Sequence, residues 1–376
     1  MDFAGLAKVY SADGPFVSAY LDTHAQVENG AAVRETAWKN AVRMLSESSV
    51  DDATIQMLTP LVLDETPAGG TRVIIASPSQ IHIAKWMPTP PSGGDELVVG
   101  PLPRLLPLIE AQSTWLPHVV VLADRVGADV LAYTEGGDQP RIATTGDVAP
   151  WPVHKTGAAG WATKRYDASV EQSWERSAKD VAGLVEKVAR DVGARFVIGC
   201  GDQQAISLLR QHLPSTLGDS FVEVDGGGRH ADGGDEYVAH RLDEVRLERA
   251  AAEHSMVLDR FSEARGQGGR AREGVTEVIA ALQLGEVETL LLTDQFDRGD
   301  EPIVFGPDPR QLAVDPQQLS DMGVELPQWA PLVDVAIRAS IIGAGADVRV
   351  VSSASAKAPA EGIGAFLRYD VTSTPR

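Results

Sequence analysis

The sequence predicts an α/β protein of three domains, the first of them α+β. Strand-like apolar runs alternate with stretches of helical periodicity through the last two thirds of the chain. A length of 376 residues also exceeds what one ordinary hydrophobic core serves. The expected segments are 1–117, 118–258 and 259–376.

In the first segment "GPFVSAYLDT" reads as a strand, and "AAVRETAWKNAVRMLSES" places Val33, Ala37, Ala41, Met44 and Leu45 at helical spacing. "TRVIIAS" and "QIHIAKW" are two strands about a turn at Pro78 and Ser79. The Pro/Gly-rich "MPTPPSGGDE" is a loop, and "LPRLLPLIEAQ" leads to the boundary near residue 117. The second segment opens with "HVVVLADRVGADVLAYTEGG", two strands joined at Arg125 to Gly127. Further on, Val170, Trp174, Ala178, Val181, Val185 and Val188 recur at spacings of three and four, which predicts a long helix capped by Asp167 or Ser169. "RFVIGCGDQQAISLLRQHL" reads strand, turn, helix, and "HRLDEVRLERAAAEHSMVLDRFSEAR" a charged helix leading into the last segment. That segment runs helix then strand twice, in "REGVTEVIAALQLGEVETLLLTDQ" and "VDVAIRASIIGAGADVRVVSS", and ends on "GIGAFLRYDV".

Composition excludes several classes. With 43% hydrophobic and 23% charged residues the chain reads as globular. Its start does not read as a signal peptide, and no run reaches the roughly 18 to 20 apolar residues of a membrane span. Cys200 stands alone, so an internal disulfide framework or multi-cysteine metal site is ruled out and a cytoplasmic setting is expected. The net charge of -20 is spread along the chain, which disfavours indiscriminate coating of nucleic acid, DNA included.

Candidate chemistry is sparse. "IGCGDQQ" could offer backbone N–H groups to an anion but lacks the dinucleotide fingerprint and reads as a structural turn. "HADGGDEYVAH" gathers His230, Asp232, Asp235, Glu236 and His240 without a recognised ligand spacing, and reads as a solvated loop. "RGQGGR" at 265–270 reads as a helix stop and linker. No G-x-S-x-G, H-E-x-x-H or P-loop occurs, so no catalytic residue, metal or cofactor is expected.

One stretch departs from the acidic background. "HKTGAAGWATKRY", residues 154–166, contains no acid and carries Lys155, Lys164 and Arg165. It reads either as a solvated surface loop or as a probe for structured RNA. In the second reading those cations meet phosphates, and Trp161 and Tyr166 stack on bases.

Three stretches together resemble the class-I release factors of archaea and eukaryotes, including the Pelota branch. They are "EGVTEVIAALQLGEVETLLLTDQ", "GADVRVVSSASAKAPAEGIGAFLRYDV" and "VHKTGAAGWATKRYDASVEQSWERSAKDVAGLVEKV". The last stands where that family has its catalytic loop and following helix. The likeness covers roughly residues 118–376 and implies a three-domain release-factor-like architecture. Release factors carry Gly-Gly-Gln at the loop tip; here Gly157, Ala158, Ala159, Gly160 and Trp161 stand there with no glutamine. The Asn-Ile-Lys-Ser stop-codon motif is missing too. The resemblance is therefore to a bacterial branch that includes ribosome hibernation factors. It implies a non-enzymatic protein in the ribosomal A site, with the first domain at the decoding centre, the second at the peptidyl transferase centre and the third beside a GTPase. Its implied partners are the 70S ribosome, through 23S and 16S rRNA, and elongation factor Tu or another translational GTPase; membranes are not among them. The implied RNA-binding residues are His154, Lys155, Gly157, Ala158, Ala159, Gly160, Trp161, Lys164, Arg165 and Tyr166. Two alternatives stand beside this reading: a rescue hydrolase with a non-standard loop, and a stress adaptor that does not bind ribosomes.

Overall fold

The computed structural model describes residues 3–22, 30–48, 50–63, 70–87, 94–123, 128–134, 142–146, 178–226, 235–266 and 269–369. Helices and sheets are mixed throughout, as the sequence predicts. Contacts divide the chain into two compact units: one joins Met1–Ser113 to Ala252–Arg376, the other is Thr114–Ala251.

In the first unit, the N-terminal segment contributes α1 (Phe3–Val9), β1 (Phe16–Asp22), α2 (Gly30–Glu47), α3 (Asp52–Leu63), β2 (Thr71–Ser77), β3 (Gln80–Met87), β4 (Glu96–Gly100) and α4 (Leu106–Thr114). Its antiparallel sheet has the order β3-β2-β1-β4. β2 is buried along its whole length, which explains the uninterrupted apolar run. The buried face of α2 is Trp38 and Leu45, with Ala37 exposed. Of the predicted stripe, Leu45 is buried and Ala41 packs against the core, while the place of Ala37 is taken by Trp38, whose large indole also donates from Nε1 to Thr59 Oγ1 at 3.1 Å.

The C-terminal part of this unit contains β10 (Ala271–Glu273), α9 (Val275–Leu284), β11 (Val287–Thr293), β12 (Pro302–Phe305), β13 (Leu312–Ala313), α10 (Pro316–Asp321), β14 (Gln328–Pro331), α11 (Leu332–Arg338), β15 (Asp347–Val351) and β16 (Ile363–Leu367). Two sheets form, β10-β16-β11-β15 and the small β13-β12-β14. Both parts of the unit share one core, in which Leu6, Val9, Leu105, Leu108 and Ile109 cluster with Val333, Ile337 and Ile341. Arg104 reinforces it through ion pairs to Glu96 at 2.9 Å, to Asp300 and to the buried Asp334 at 3.5 Å. Burial pushes the Asp334 carboxyl up to about 7 against the pull of Arg104.

The second unit is one five-stranded sheet with the order β7-β6-β5-β8-β9, made by β5 (His118–Ala123), β6 (Ala128–Tyr133), β7 (Ile142–Gly146), β8 (Phe196–Gly201) and β9 (Phe221–Asp225). β5, β8 and β9 run parallel; β6 and β7 run antiparallel to their neighbours. α5, helical over residues 178–192, lays Ala182, Val185, Val188 and Ala189 on Val119, Val121, Val130 and Val197. The predicted stripe is therefore the buried face as far as it is described; Val170, Trp174 and the cap candidates Asp167 and Ser169 lie outside the described residues. α6 (Gln203–His212) and the short α7 (Ser215–Gly218) follow β8, and α8 (Asp235–Gly266) runs from this unit into the first. Within "RGQGGR", α8 stops at Gly266 and β10 starts at Ala271.

Candidate functional site

The segment singled out by charge lies between two elements fixed to one sheet. β7 pairs with β6 from Ile142 to Gly146, and α5 packs its apolar face on β5, β6 and β8. Residues 147–177, between the described ends of these two elements, lie outside the described residues. His154, Lys155, Gly157, Ala158, Ala159, Gly160, Trp161, Lys164, Arg165 and Tyr166 are all among them. The described residues do show where the segment departs. Gly146 is opposite Ala128, Ala128 opposite Ala123, and Ala123 opposite Gly201. The segment thus leaves the sheet at the edge where the parallel strands β5 and β8 end, the edge at which open α/β sheets generally place their binding loops.

The glycines of "IGCGDQQ" hold this edge together. A Cβ on Gly201, which has φ +121°, would lie 1.8 Å from the Ala123 carbonyl oxygen, and one on Gly199 would lie 2.4 Å from Phe221 Cζ. Both glycines are required by close approach of backbone and ring. The N-terminus of α6 is already occupied, because the Asp202 carboxylate accepts from Gln204 N at 3.1 Å and Ala205 N at 3.2 Å. A fixed negative group there opposes an anion. Cys200 is buried, and burial pushes its thiol up to about 11, so it is a core side chain rather than a nucleophile.

Of the His/Asp/Glu cluster, His230 and Asp232 lie outside the described residues and Asp235 and Glu236 open α8. His240 is exposed and faces Glu244 at 3.3 Å. Among the described residues no group of three His, Cys, Asp or Glu side chains could hold a metal ion.

A polar anchor that sequence reasoning missed sits at the start of β5. His118 is fully buried, stacked between Tyr133 (4.7 Å, 5°) and Phe196 (5.0 Å, 2°). Nδ1 lies 2.8 Å from the Leu116 carbonyl, which can only accept, so Nδ1 carries the proton. Nε2 is then free to accept from Arg246 Nε at 3.0 Å. Burial, with a smaller contribution from Arg246, pushes the imidazole down to about 4. The Arg246 guanidinium is held over Trp115 at 4.8 Å and Tyr133 at 5.1 Å. With both ring nitrogens engaged, His118 locks β5 to α8 and has no lone pair left for chemistry.

Known proteins place this unit. Residues 117–267 match the family described as bacterial archaeo-eukaryotic release factor family 2. Two uncharacterized proteins of Mycobacterium tuberculosis, MT2704 (strain CDC 1551 / Oshkosh) and Rv2629 (strain ATCC 25618 / H37Rv), are each 27% identical over 368 residues, covering 96% of this chain and 96% of their own. Among solved structures the chain is similar to an archaeal translation termination factor, aRF1 (15% identity, 98% of each chain, TM-score 0.26). It is also similar to Archaeoglobus fulgidus Pelota, at 14% identity over 98% of this chain and 92% of that one, with a TM-score of 0.36. A ribosome-bound archaeal Pelota and ABCE1 model gives 17% identity over 98% and 94%, with a TM-score of 0.41. Over residues 117–267, then, this chain is similar to the bacterial archaeo-eukaryotic release factors of family 2.

Proposed function

We propose that the protein is a ribosome-binding factor that occupies the A site and blocks translation without hydrolysing peptidyl-tRNA, a hibernation factor of the Balon type. The observation that carries this reading is the acid-free, cationic stretch 154–166 within a release-factor domain, at the place where hydrolytic members need a glutamine. Lys155, Lys164 and Arg165 supply phosphate contacts, and Trp161 and Tyr166 supply stacking faces, which suits a pocket lined by folded RNA. β7 and the described part of α5, which bracket that stretch in the chain, are both held on one sheet and give it a fixed base. Ala158 and Ala159 stand where glycines would permit a wider range of backbone angles, and no side-chain amide is present to position water. By the same reading the segment 1–117 faces the decoding centre, and 259–376 meets a translational GTPase such as elongation factor Tu.

The test uses purified 70S ribosomes with peptidyl-tRNA in the P site. The full chain is expected to pellet with them, to inhibit delivery of aminoacyl-tRNA and to release no peptide. Peptide release near the rate of a genuine release factor would make it a rescue hydrolase; failure to pellet at moderate salt would make it an adaptor that acts off the ribosome.

A further inference from the structure

The small sheet β13-β12-β14 carries an apolar surface that its own fold leaves uncovered. Trp329 is opposite Val304 and Val304 is opposite Ala313, so all three stand on one face. On that face Val304, Ala313, Leu319 of α10 and Val324 form a separate small core. Exposed beside these elements in the chain are Trp329 at 52%, Leu326 at 86% and Met322, the residue that ends α10. An isolated exposed leucine needs no explanation, but three large apolar side chains between 322 and 329, next to one small core, mark a contact surface.

Charge identifies the occupant. Asp315, Asp321 and Glu325 are interleaved with these residues and exposed. Among the described residues Asp321 and Glu325 have no ion-pair partner; Asp321 accepts only from Gln317 Nε2 at 3.4 Å. Arg310, the one cation of 306–331, lies 3.5 Å from Asp308. Such a field repels RNA phosphates and anionic lipid, and it repels a second copy of a chain with net charge -20. It attracts cations. Strand addition along β14 is disfavoured because Pro331 closes the strand and Pro327 precedes it. Recognition therefore falls to side chains, with the indole and Leu326 as anchors.

We propose that Trp329, Leu326 and Met322, with Asp321 and Glu325 among them and Asp315 at the start of α10, form a docking surface for a cationic protein segment that presents an apolar side chain. This does not rest on the reading of residues 154–166. The probe is a fluorescent peptide of lysines with a leucine at every fourth position, titrated with the full chain and followed by anisotropy. Its counterparts replace leucine by serine or lysine by glutamate. The Lys/Leu peptide is expected to bind wild type about ten-fold more tightly than either Leu326→Ser/Trp329→Ser or the single Leu326→Ser, whose melting temperatures confirm folding. Leu247→Ser, an exposed leucine of α8, is expected to change nothing. Equal binding by the patch variants, equal binding of the serine or glutamate peptide, or an equal loss in Leu247→Ser would overturn the proposal. Self-association or single-stranded RNA binding that disappears with the patch would also overturn it, by naming a second copy or RNA as the occupant.

Discussion

Residues 154–166 and residues 306–331 are both aromatic-bearing stretches, and they differ in the sign of their charge. The first has Trp161 and Tyr166 among cations with no acid; the second has Trp329 among acids with one paired cation. An aromatic ring offers stacking or apolar contact in either setting, so the ring alone does not specify a partner. The surrounding charge does: cations beside an indole suit bases on a phosphate backbone, and acids beside an indole suit a basic protein. On the two proposed readings, a chain with net charge -20 would meet RNA through one stretch and a basic protein through the other, with neither competing for the other's ligand.

The largest effect that sharpens this contrast comes from the base of the cationic segment. Gly201→Ala drives a Cβ into the Ala123 carbonyl at a φ of +121° and is expected to destabilise the middle unit by more than about 3 kcal/mol, measured by denaturant titration. Ribosome binding should fall with it.

Acid comes next. The His118 imidazole is held neutral by burial, at about 4 against an ordinary 6.5. Above pH 6.5 folded and unfolded chains bind no proton there, so the contribution is fully present. Between pH 6.5 and 4 the unfolded chain gains the proton and the folded one does not, and stability should fall by about 3 kcal/mol over that window. His118→Gln is expected to flatten that fall, read from urea midpoints across pH.

Trp161→Ala should weaken ribosome binding by about 1 to 3 kcal/mol while leaving the melting temperature unchanged, if the indole stacks on a base. Equal affinity for wild type and variant would return the stretch to a solvated loop.

Asp334 gives the opposite pH sign. Its folded carboxyl sits at about 7 rather than 3.8. Its contribution is therefore present below pH 3.8 and is lost as the pH rises to about 7. Asp334→Asn keeps Arg104 paired with Glu96 and Asp300 and is expected to remove that decline, read from urea midpoints between about pH 4 and 7.

Long apolar signals were legible in the sequence: "HVVVLA" is β5, "TRVIIAS" is β2, and Val181, Val185 and Val188 face the sheet from α5. What escaped was short or distant. β7 is "IATTG", with too few apolar residues to show a period, and β12, β13 and β14 are two to four residues long with prolines at the margins. α2 was found with Ala41 and Leu45 inward, but Ala37 was read where Trp38 in fact packs. The His118 anchor depends on Arg246, 128 positions away, a pairing that only the fold brings about. The cationic stretch was legible because its signal is compositional, and an unbroken absence of acids in so acidic a chain is visible without coordinates.

The most direct test of the RNA reading is ribosome binding across a salt series for wild type and Lys164→Ala/Arg165→Ala. Each neutralised phosphate contact contributes about 0.7 to 0.9 to the log-log salt slope, so losing two should lower the slope by roughly 1 to 2 and weaken binding most at low salt. An unchanged affinity and slope in the double variant would contradict the account.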